Sequence, residues 1–490
     1  MTLPPISMKK SRFHPSFLRA TVAAAALAVL AGCAVGPAYE RPDAPTPAAW
    51  KEAPVAEGWS PAVPADALAR GEWWRLFNDP ELNALADKVQ VSNQNIAAAV
   101  ASYTQAQAAV REQRAALFPI VSLSGGARRS GERSPGTTSG SANVSLGASW
   151  EPDLWGRLRE SVSSAQAAAQ ASEADLASAR LSMLGELAIN YFSLRESDAE
   201  LAVLATTIEG YERSLTINRN RYEAGIAAQS DVLQAETLLA NTRAQYAATE
   251  RTRASLEHAI AVLTGAAPSG FSLSRSSWTP VVPRVPSGVP SELLQRRPDI
   301  ASAERAVAAA NSQIGIARSA YYPSISLDAS LGRTSSRVSD LFNASNTLWS
   351  LGLSVAQVVF DAGAIDARVD QATASRDVAI ARYRQTVLAS FQAVEDQLSA
   401  AVSLEQQLQQ YAIASQAADK SEQQIINRYR AGQVGYTDVV VAQASALNAR
   451  RNVLQLQVAQ QLAAIGLIQA LGGGWQAEWM AQAQPAPRTP

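Results

Sequence analysis

The chain has 490 residues, with 42 basic and 43 acidic side chains and a formal net charge of −1, so no net positive charge is available for a nucleic-acid footprint. It holds one cysteine and two histidines, which excludes an intrachain disulfide, a cysteine-based metal cluster and a catalytic or metal-binding group of several histidines.

The N-terminus reads as a processing segment, assigned here to residues 1–32. Lys9, Lys10, Arg12 and Arg19 form a basic region, and the apolar stretch from Thr21 to Ala31 is too short to span a bilayer. It ends in Leu30-Ala31-Gly32-Cys33, a run that resembles a bacterial lipobox. Cys33 is then the lipidation site and residue one of the mature chain, carrying a diacylglycerol thioether and an N-acyl group. At about 0.8 kcal/mol per buried methylene, such chains anchor the N-terminus firmly. Ala34, rather than aspartate, follows it, which by resemblance to lipoprotein sorting favours the outer membrane. Residues 33–79 are expected to be a lipidated extended segment. No later stretch reaches about 18 consecutive apolar residues, so any spanning falls to strands.

The remainder is one unit written twice. Arg221-Tyr222-Glu223-Ala224-Gly225 recurs as Arg428-Tyr429-Arg430-Ala431-Gly432, and Asp231-Val232 as Asp438-Val439, at an offset of 207 residues. Gly156 and Gly265 answer Gly363 and Gly472 at the same offset, and Phe118-Pro119 answers Tyr322-Pro323 at 204. Repeat 1 is assigned to 80–265, the linker to 266–290, repeat 2 to 291–472 and a tail to 473–490. Each repeat begins with a half-length helix (80–117, 291–321) that proline ends.

A β-hairpin follows in each repeat, at 120–153 and 323–360. Val121, Leu123, Val144, Leu146, Ala148 and Trp150 alternate with serine and glycine. In repeat 2, Ile325, Leu327, Ala329, Leu331, Trp349, Leu351, Leu353 and Val355 do the same. Period two over about ten residues is the pattern of a membrane-barrel strand and also of a soluble half-buried hairpin.

The longest helices are expected at 158–224 and 365–431, each on the order of 100 Å at about 1.5 Å per residue. Leu187, Leu194, Leu201, Ile208 and Leu215 fall every seven residues, with Val394, Ala401 and Leu408 at the repeat offset, a stripe that faces neighbouring helices. Gly225 and Gly432 suit left-handed caps. Ser230-Asp231 and Thr437-Asp438 are N-cap candidates for the returning helices 231–264 and 438–471, with Gln234 placed for a capping box. Two half-length helices stacked against one long helix give a layered tube with the linker at mid-height.

Four strands cannot close a barrel, since about eight is the minimum; two copies would close with little lumen, and three give twelve strands around an open bore, which export of anything larger than an ion favours. Further motifs run almost end to end: Cys33-Ala34-Val35-Gly36-Pro37 with Tyr39 and Arg41-Pro42; Trp73-Trp74, Phe77 and Asp79-Pro80-Glu81-Leu82; Asp153-Leu154-Trp155-Gly156-Arg157; both Arg-Tyr-x-Ala-Gly runs; and Leu293-Leu294-Gln295-Arg296-Arg297-Pro298-Asp299-Ile300 with Ala303-Glu304. Together they resemble those of the TolC-like outer membrane factors, in their efflux-pump lipoprotein branch.

That resemblance implies a mainly α fold with β strands: a homotrimeric α-helical barrel joined to a twelve-stranded outer-membrane β-barrel. It implies an exit duct for small molecules such as drugs, with a large periplasmic portion. The implied partners are a periplasmic adaptor (membrane fusion protein), a proton-driven inner-membrane transporter and outer-membrane lipid, with no cofactor beyond the lipid on Cys33 and no enzymatic activity. By position it places Arg221, Tyr222, Gly225, Asp231, Arg428, Tyr429, Gly432 and Asp438 at the periplasmic tip, the adaptor contact and the entrance. Some relatives carry a basic and an acidic residue where Val434 and Val441 stand here, so a charge-based lock must differ. The competing readings are a type I protein or metal-ion export channel and a periplasmic coiled-coil adaptor lipoprotein, which needs no alternating strands.

Overall fold

A computed structural model describes residues 35–52, 71–131, 138–283, 285 and 296–474. The signal segment, Cys33 and Leu293–Gln295 lie outside them. The chain divides into two compact units. One comprises Met1–Arg41, Ala106–Ala169 and Ala306–Ile380, and the other Pro42–Gln105, Gln170–Arg305 and Ala381–Pro490.

Repeat 1 begins with α1 (Pro80–Ser92) and α2 (Gln94–Ala115). Asp79 caps α1, its Oδ1 accepting from the Glu81 and Leu82 amides at 3.0 Å each, with Pro80 in the first turn where its missing N–H costs nothing. A single helix over 80–117 was expected. Asn93 breaks it by taking an extended conformation, and its Oδ1 accepts from the Asn95 and Ile96 amides to start α2. Strands β1 (Ile120–Gly131) and β2 (Thr138–Trp150) follow, then α3 (Arg157–Glu223) and α4 (Gln229–Leu263).

Repeat 2 runs α5 (Pro298–Ser319), β3 (Ser324–Ser335), β4 (Thr347–Ala356), α6 (Ala364–Arg430) and α7 (Tyr436–Ala470). Among the described residues α7 alone is long and apolar enough to cross a membrane by length and composition. Ala463, Ala464, Ile465, Leu467 and Ile468 of that helix are nevertheless buried in the protein.

The duplication extends to individual contacts. The Arg243–Glu212 ion pair, 2.6 Å, between α4 and α3 recurs 207 residues on as Arg450–Asp419, 2.8 Å, between α7 and α6. Asn93 Nδ2 donates to the Leu263 carbonyl at 2.8 Å, closing the end of α4. Arg297, 204 residues later, donates from Nη1 to the Ala470 carbonyl at 2.8 Å and closes α7. The Arg-Arg-Pro-Asp motif therefore ties a helix end, its Arg297 held in turn by Asp299 at 2.6 and 2.9 Å.

Gly472, at φ +87°, follows α7 so closely that an added Cβ would stand 2.0 Å from the Arg296 carbonyl oxygen. Gly472→Ala is expected to cost the left-handed penalty of about 1–3 kcal/mol plus that collision. Gly225→Ala, with φ +70° and nothing within 4 Å, costs the backbone penalty alone. Thermal unfolding of the two variants checks the order.

The heptad stripe is covered in one copy and open in the other. Leu187, Leu194, Leu201 and Leu215 are buried and Ile208 partly so, whereas only Val394 of the second set is buried, with Leu408 partly covered and Ala401 exposed. The central part of α6 also leaves Leu388, Val402, Tyr411 and Ile413 exposed.

Candidate entrance and membrane-facing surface

The four strands form one antiparallel sheet in the order β1-β2-β3-β4, so the second hairpin pairs with the first through β2 and β3. The register aligns the alternating residues into rows. Leu123, Leu146, Leu331 and Trp349 form one row; Val121, Ala148, Ala329 and Leu351 form the next; Trp150, Leu327 and Leu353 the third. These lie on one face, where Leu123 is 76 %, Trp349 77 % and Leu351 75 % exposed. The opposite face carries serines paired across strands, Ser124 with Ser145 and Ser330 with Ser350, both at 2.8 Å. An exposed apolar face backed by a hydroxyl-lined one is the reverse of a soluble hairpin. Among the described residues β1 and β4 each pair on one side only, leaving two open edges.

All four helical connections leave the sheet at one end, past Ile120, Trp150, Ser324 and Ala356. Aromatic rings gather there. Trp155 stacks on Tyr322 at 4.9 Å and donates to the Pro323 carbonyl at 2.7 Å, and Trp150 donates to the Leu117 carbonyl at 3.0 Å. The start of the described chain docks at the same place. Val35 N–H reaches the Trp155 carbonyl at 3.5 Å, and Asn311 Nδ2 donates to the Pro37 carbonyl at 2.9 Å.

The α3–α4 and α6–α7 turns are built alike. Gly225 N–H donates to the Tyr222 carbonyl and Ile226 N–H to the Arg221 carbonyl, both at 2.8 Å. Gly432 and Gln433 repeat this onto Tyr429 and Arg428 at 3.0 and 2.9 Å. With φ of +70° and +72° at the glycines, these are paired 6→1 and 5→2 caps. The expected aspartate N-caps are not made. The helices begin earlier, after Ala228 and Gly435, neither of which supplies a side-chain cap. The cap leaves only a few extended residues before the next helix, so Asp231 and Asp438 fall inside its first turn and Gln234 has no box to complete. There the two carboxylates complement the positive end of the helix.

The two turns pack together within one chain. Tyr429 is buried, donates to Asn218 Oδ1 at 2.5 Å, lies 5.4 Å from the Tyr436 ring and takes the Arg221 guanidinium on its face at 4.8 Å. Tyr211, Leu215, Ala235, Leu239 and Val439 complete the cluster. Burial pushes Tyr436 up to about 12 and raises Tyr429, with Arg221 opposing and Asp231 reinforcing the latter shift. The structure thus brings together Arg221, Tyr429 and, electrostatically, the half-buried Asp231. Tyr222, Arg428, Gly432 and Asp438 are exposed, as is Gly225.

Sequence reasoning missed Asn218 and Tyr436. Their repeat partners are Ile425 and Gln229, and a break in the repeat beside a conserved spacing is the signal that could have found them. It also missed a buried charge network. Arg195 donates to Asp198 at 2.9 Å, to the Ser274 carbonyl at 2.9 Å and to Glu81, while Arg253 reaches Asp198 at 2.6 Å and the Leu273 carbonyl at 2.6 Å. Asp79, Glu81 and the inter-repeat segment are thereby tied to α3 and α4.

Nearby on α3, burial and then the Glu200 carboxylate push Glu196 up to about 7, against Arg451. A carboxyl whose folded pKa lies above its ordinary 4.5 favours the fold when protonated, and that contribution is lost as pH rises through about 7. Glu196→Gln is expected to gain thermal midpoint over the parent above pH 7 and to converge with it below 4.5.

The outer membrane efflux protein family matches residues 85–266 and 289–473, one segment in each repeat. The chain belongs to that family. The toluene efflux pump outer membrane protein TtgC of Pseudomonas putida is 32 % identical over 458 residues, 91 % of this chain and 94 % of its own length. The cation efflux system protein CusC of Escherichia coli is 30 % identical over 453 residues, 91 % of this chain and 97 % of its own. The solved outer-membrane channel OprN superposes with a TM-score of 0.81 at 30 % identity, covering 91 % of this chain and all of that one. As an outer membrane efflux protein, mainly helical with four strands among the described residues, this one is an outer-membrane component of an efflux system.

Proposed function

We propose that three copies close their sheets edge to edge, β1 of one against β4 of the next, into a twelve-stranded barrel. The observation that carries this is the four-stranded sheet with an exposed apolar face, a serine face and two open edges. An open edge and a lipid-exposed leucine face are both costly in isolation, and closure in a bilayer relieves both. The apolar face meets lipid and the serine face lines a wet bore. The exposed side chains of α6 cover one another's neighbours in the same trimer.

The duct passes small molecules such as drugs, received at the helix turns from a periplasmic adaptor and a proton-driven inner-membrane transporter. The pump, toluene and cation wording in the names of TtgC and CusC supports that arrangement and leaves the cargo class broad. Arg221, Tyr222, Gly225, Asp231, Arg428, Tyr429, Gly432 and Asp438 form the entrance and adaptor contact, with the Arg221–Tyr429–Asn218 cluster in place of a charge-based lock. Cys33 carries the lipid. Val35, two residues later, reaches the Trp155 carbonyl through its N–H at 3.5 Å, which supports anchoring beside the sheet.

Detergent-extracted protein tests this. A trimer by mass that shifts in gel migration on heating and gives stepwise single-channel currents in planar bilayers is expected. A monomeric, non-conducting species that does not shift on heating would favour the adaptor lipoprotein.

A further inference from the structure

The large apolar side chains of that face give out toward the end remote from the helices. Beyond the Leu123–Leu146–Leu331–Trp349 row, the next row on that face is Gly125–Val144–Arg333–Thr347, and Arg129 stands two rows further on β1. Each row adds about 7 Å along a strand, so Arg333 sits about 7 Å past the last leucine row and Arg129 about 20 Å past it. The segment between β3 and β4 adds Arg337, exposed, and two exposed apolar side chains, Val338 at 67 % and Phe342 at 71 %. Arg333 is held in place, donating from Nη1 to the Phe342 carbonyl at 2.7 Å with its guanidinium 5.9 Å from the Phe342 ring. Among the described residues no carboxylate pairs with Arg128, Arg129, Arg333 or Arg337. Asp340 is the acidic group of that segment, engaged by the Ser339 hydroxyl at 3.3 Å.

We propose that Arg129, Arg333 and Arg337, with Phe342, form a basic collar that binds the phosphorylated head groups of outer-leaflet glycolipid. This rests on the barrel reading above. Since the helices leave from the opposite end, the collar lies at the outer surface, on the lipid side of the wall. Guanidinium groups bind phosphate oxygens in a bidentate fork, and a phenyl ring beside them enters the acyl region, so the pairing fits a phosphorylated acylated lipid rather than a soluble anion. Arg128, adjacent in sequence, projects to the serine face and belongs to the bore.

The test uses full-length trimer in detergent, titrated with bisphosphorylated lipid A and with enzymatically dephosphorylated lipid A, bound lipid being read by native mass spectrometry. The wild type is expected to prefer the phosphorylated lipid by about tenfold. Arg129→Gln with Arg333→Gln should erase the preference, and Arg128→Gln should leave it intact. Equal binding of the two lipids by a wild type that is a heat-modifiable trimer overturns the collar alone. Retention of the preference in the double variant does so too, and loss of it in Arg128→Gln would refer the effect to general charge. A wild type with no heat-modifiable trimer overturns the barrel reading and the collar with it. Competition by millimolar inorganic phosphate equal to that by lipid A would assign the site to a free anion instead.

Discussion

Leu351→Arg is expected to abolish the outer-membrane trimer. Leu351 is three-quarters exposed and sits in the row with Val121, Ala148 and Ala329, flanked by further apolar rows on both sides. An arginine on the lipid face near mid-bilayer costs about 2–4 kcal/mol, and a trimer carries it three times, on the order of 10 kcal/mol. That equals the whole stability of a typical domain. Membrane fractionation and heat-modified gel migration read the loss. Ser350→Arg, one residue away on the opposite face, should assemble normally and alter conductance, because its side chain enters water. Equal behaviour of the two variants would contradict the assignment of faces.

The second large effect is expected at the turns. Tyr429→Ala removes a buried ring that holds Arg221, Tyr436 and Asn218 together, at about 3–5 kcal/mol by the usual cost of such truncations. Tyr429→Phe keeps the packing and loses one buried hydrogen bond, about 1 kcal/mol. Tyr222→Ala, the same position in the other repeat, removes an exposed ring and should do little. Single-channel conductance should rise most in Tyr429→Ala, less in Tyr429→Phe and hardly in Tyr222→Ala. A matching rise in Tyr222→Ala would place the constriction elsewhere.

Much of the fold was legible because its signals are long. A 67-residue proline-free helix repeated 207 residues later, and strands of strict period two, leave few alternatives. The glycine caps were legible for a single physical reason, the left-handed backbone at Gly225 and Gly432. The aspartate caps were misread because aspartate favours both the N-cap and the first helical turn, and only the backbone path after Ala228 and Gly435 decides between them. Asn93 was hidden because an asparagine inside an alanine-rich helix reads as a surface residue until its carbonyl partner on Leu263 is known.

The asymmetry of the site was the least legible part. Tyr222 and Tyr429 occupy equivalent positions, yet one is exposed and the other buried, because the neighbouring Asn218 and Tyr436 have no counterparts of the same chemistry in the other repeat. Likewise the heptad stripe is one pattern in sequence but is covered along its length only in α3, with Val394 alone fully buried among its α6 counterparts. Which copy is covered depends on contacts between repeats that no local pattern encodes.

The most direct test joins the two open edges. Cysteines replacing Ser124 on β1 and Ser350 on β4 lie three strand spacings and two residues of register apart within one sheet, about 16 Å, beyond the roughly 7 Å limit for a disulfide. Mild oxidation of that double variant, together with neighbouring register pairs such as Ser122 with Ser354, should therefore link only different chains. A covalent ladder ending at three chains is the result expected. Oxidation that yields no interchain product from any register pair, in protein extracted from the outer membrane, would contradict closure through β1 and β4.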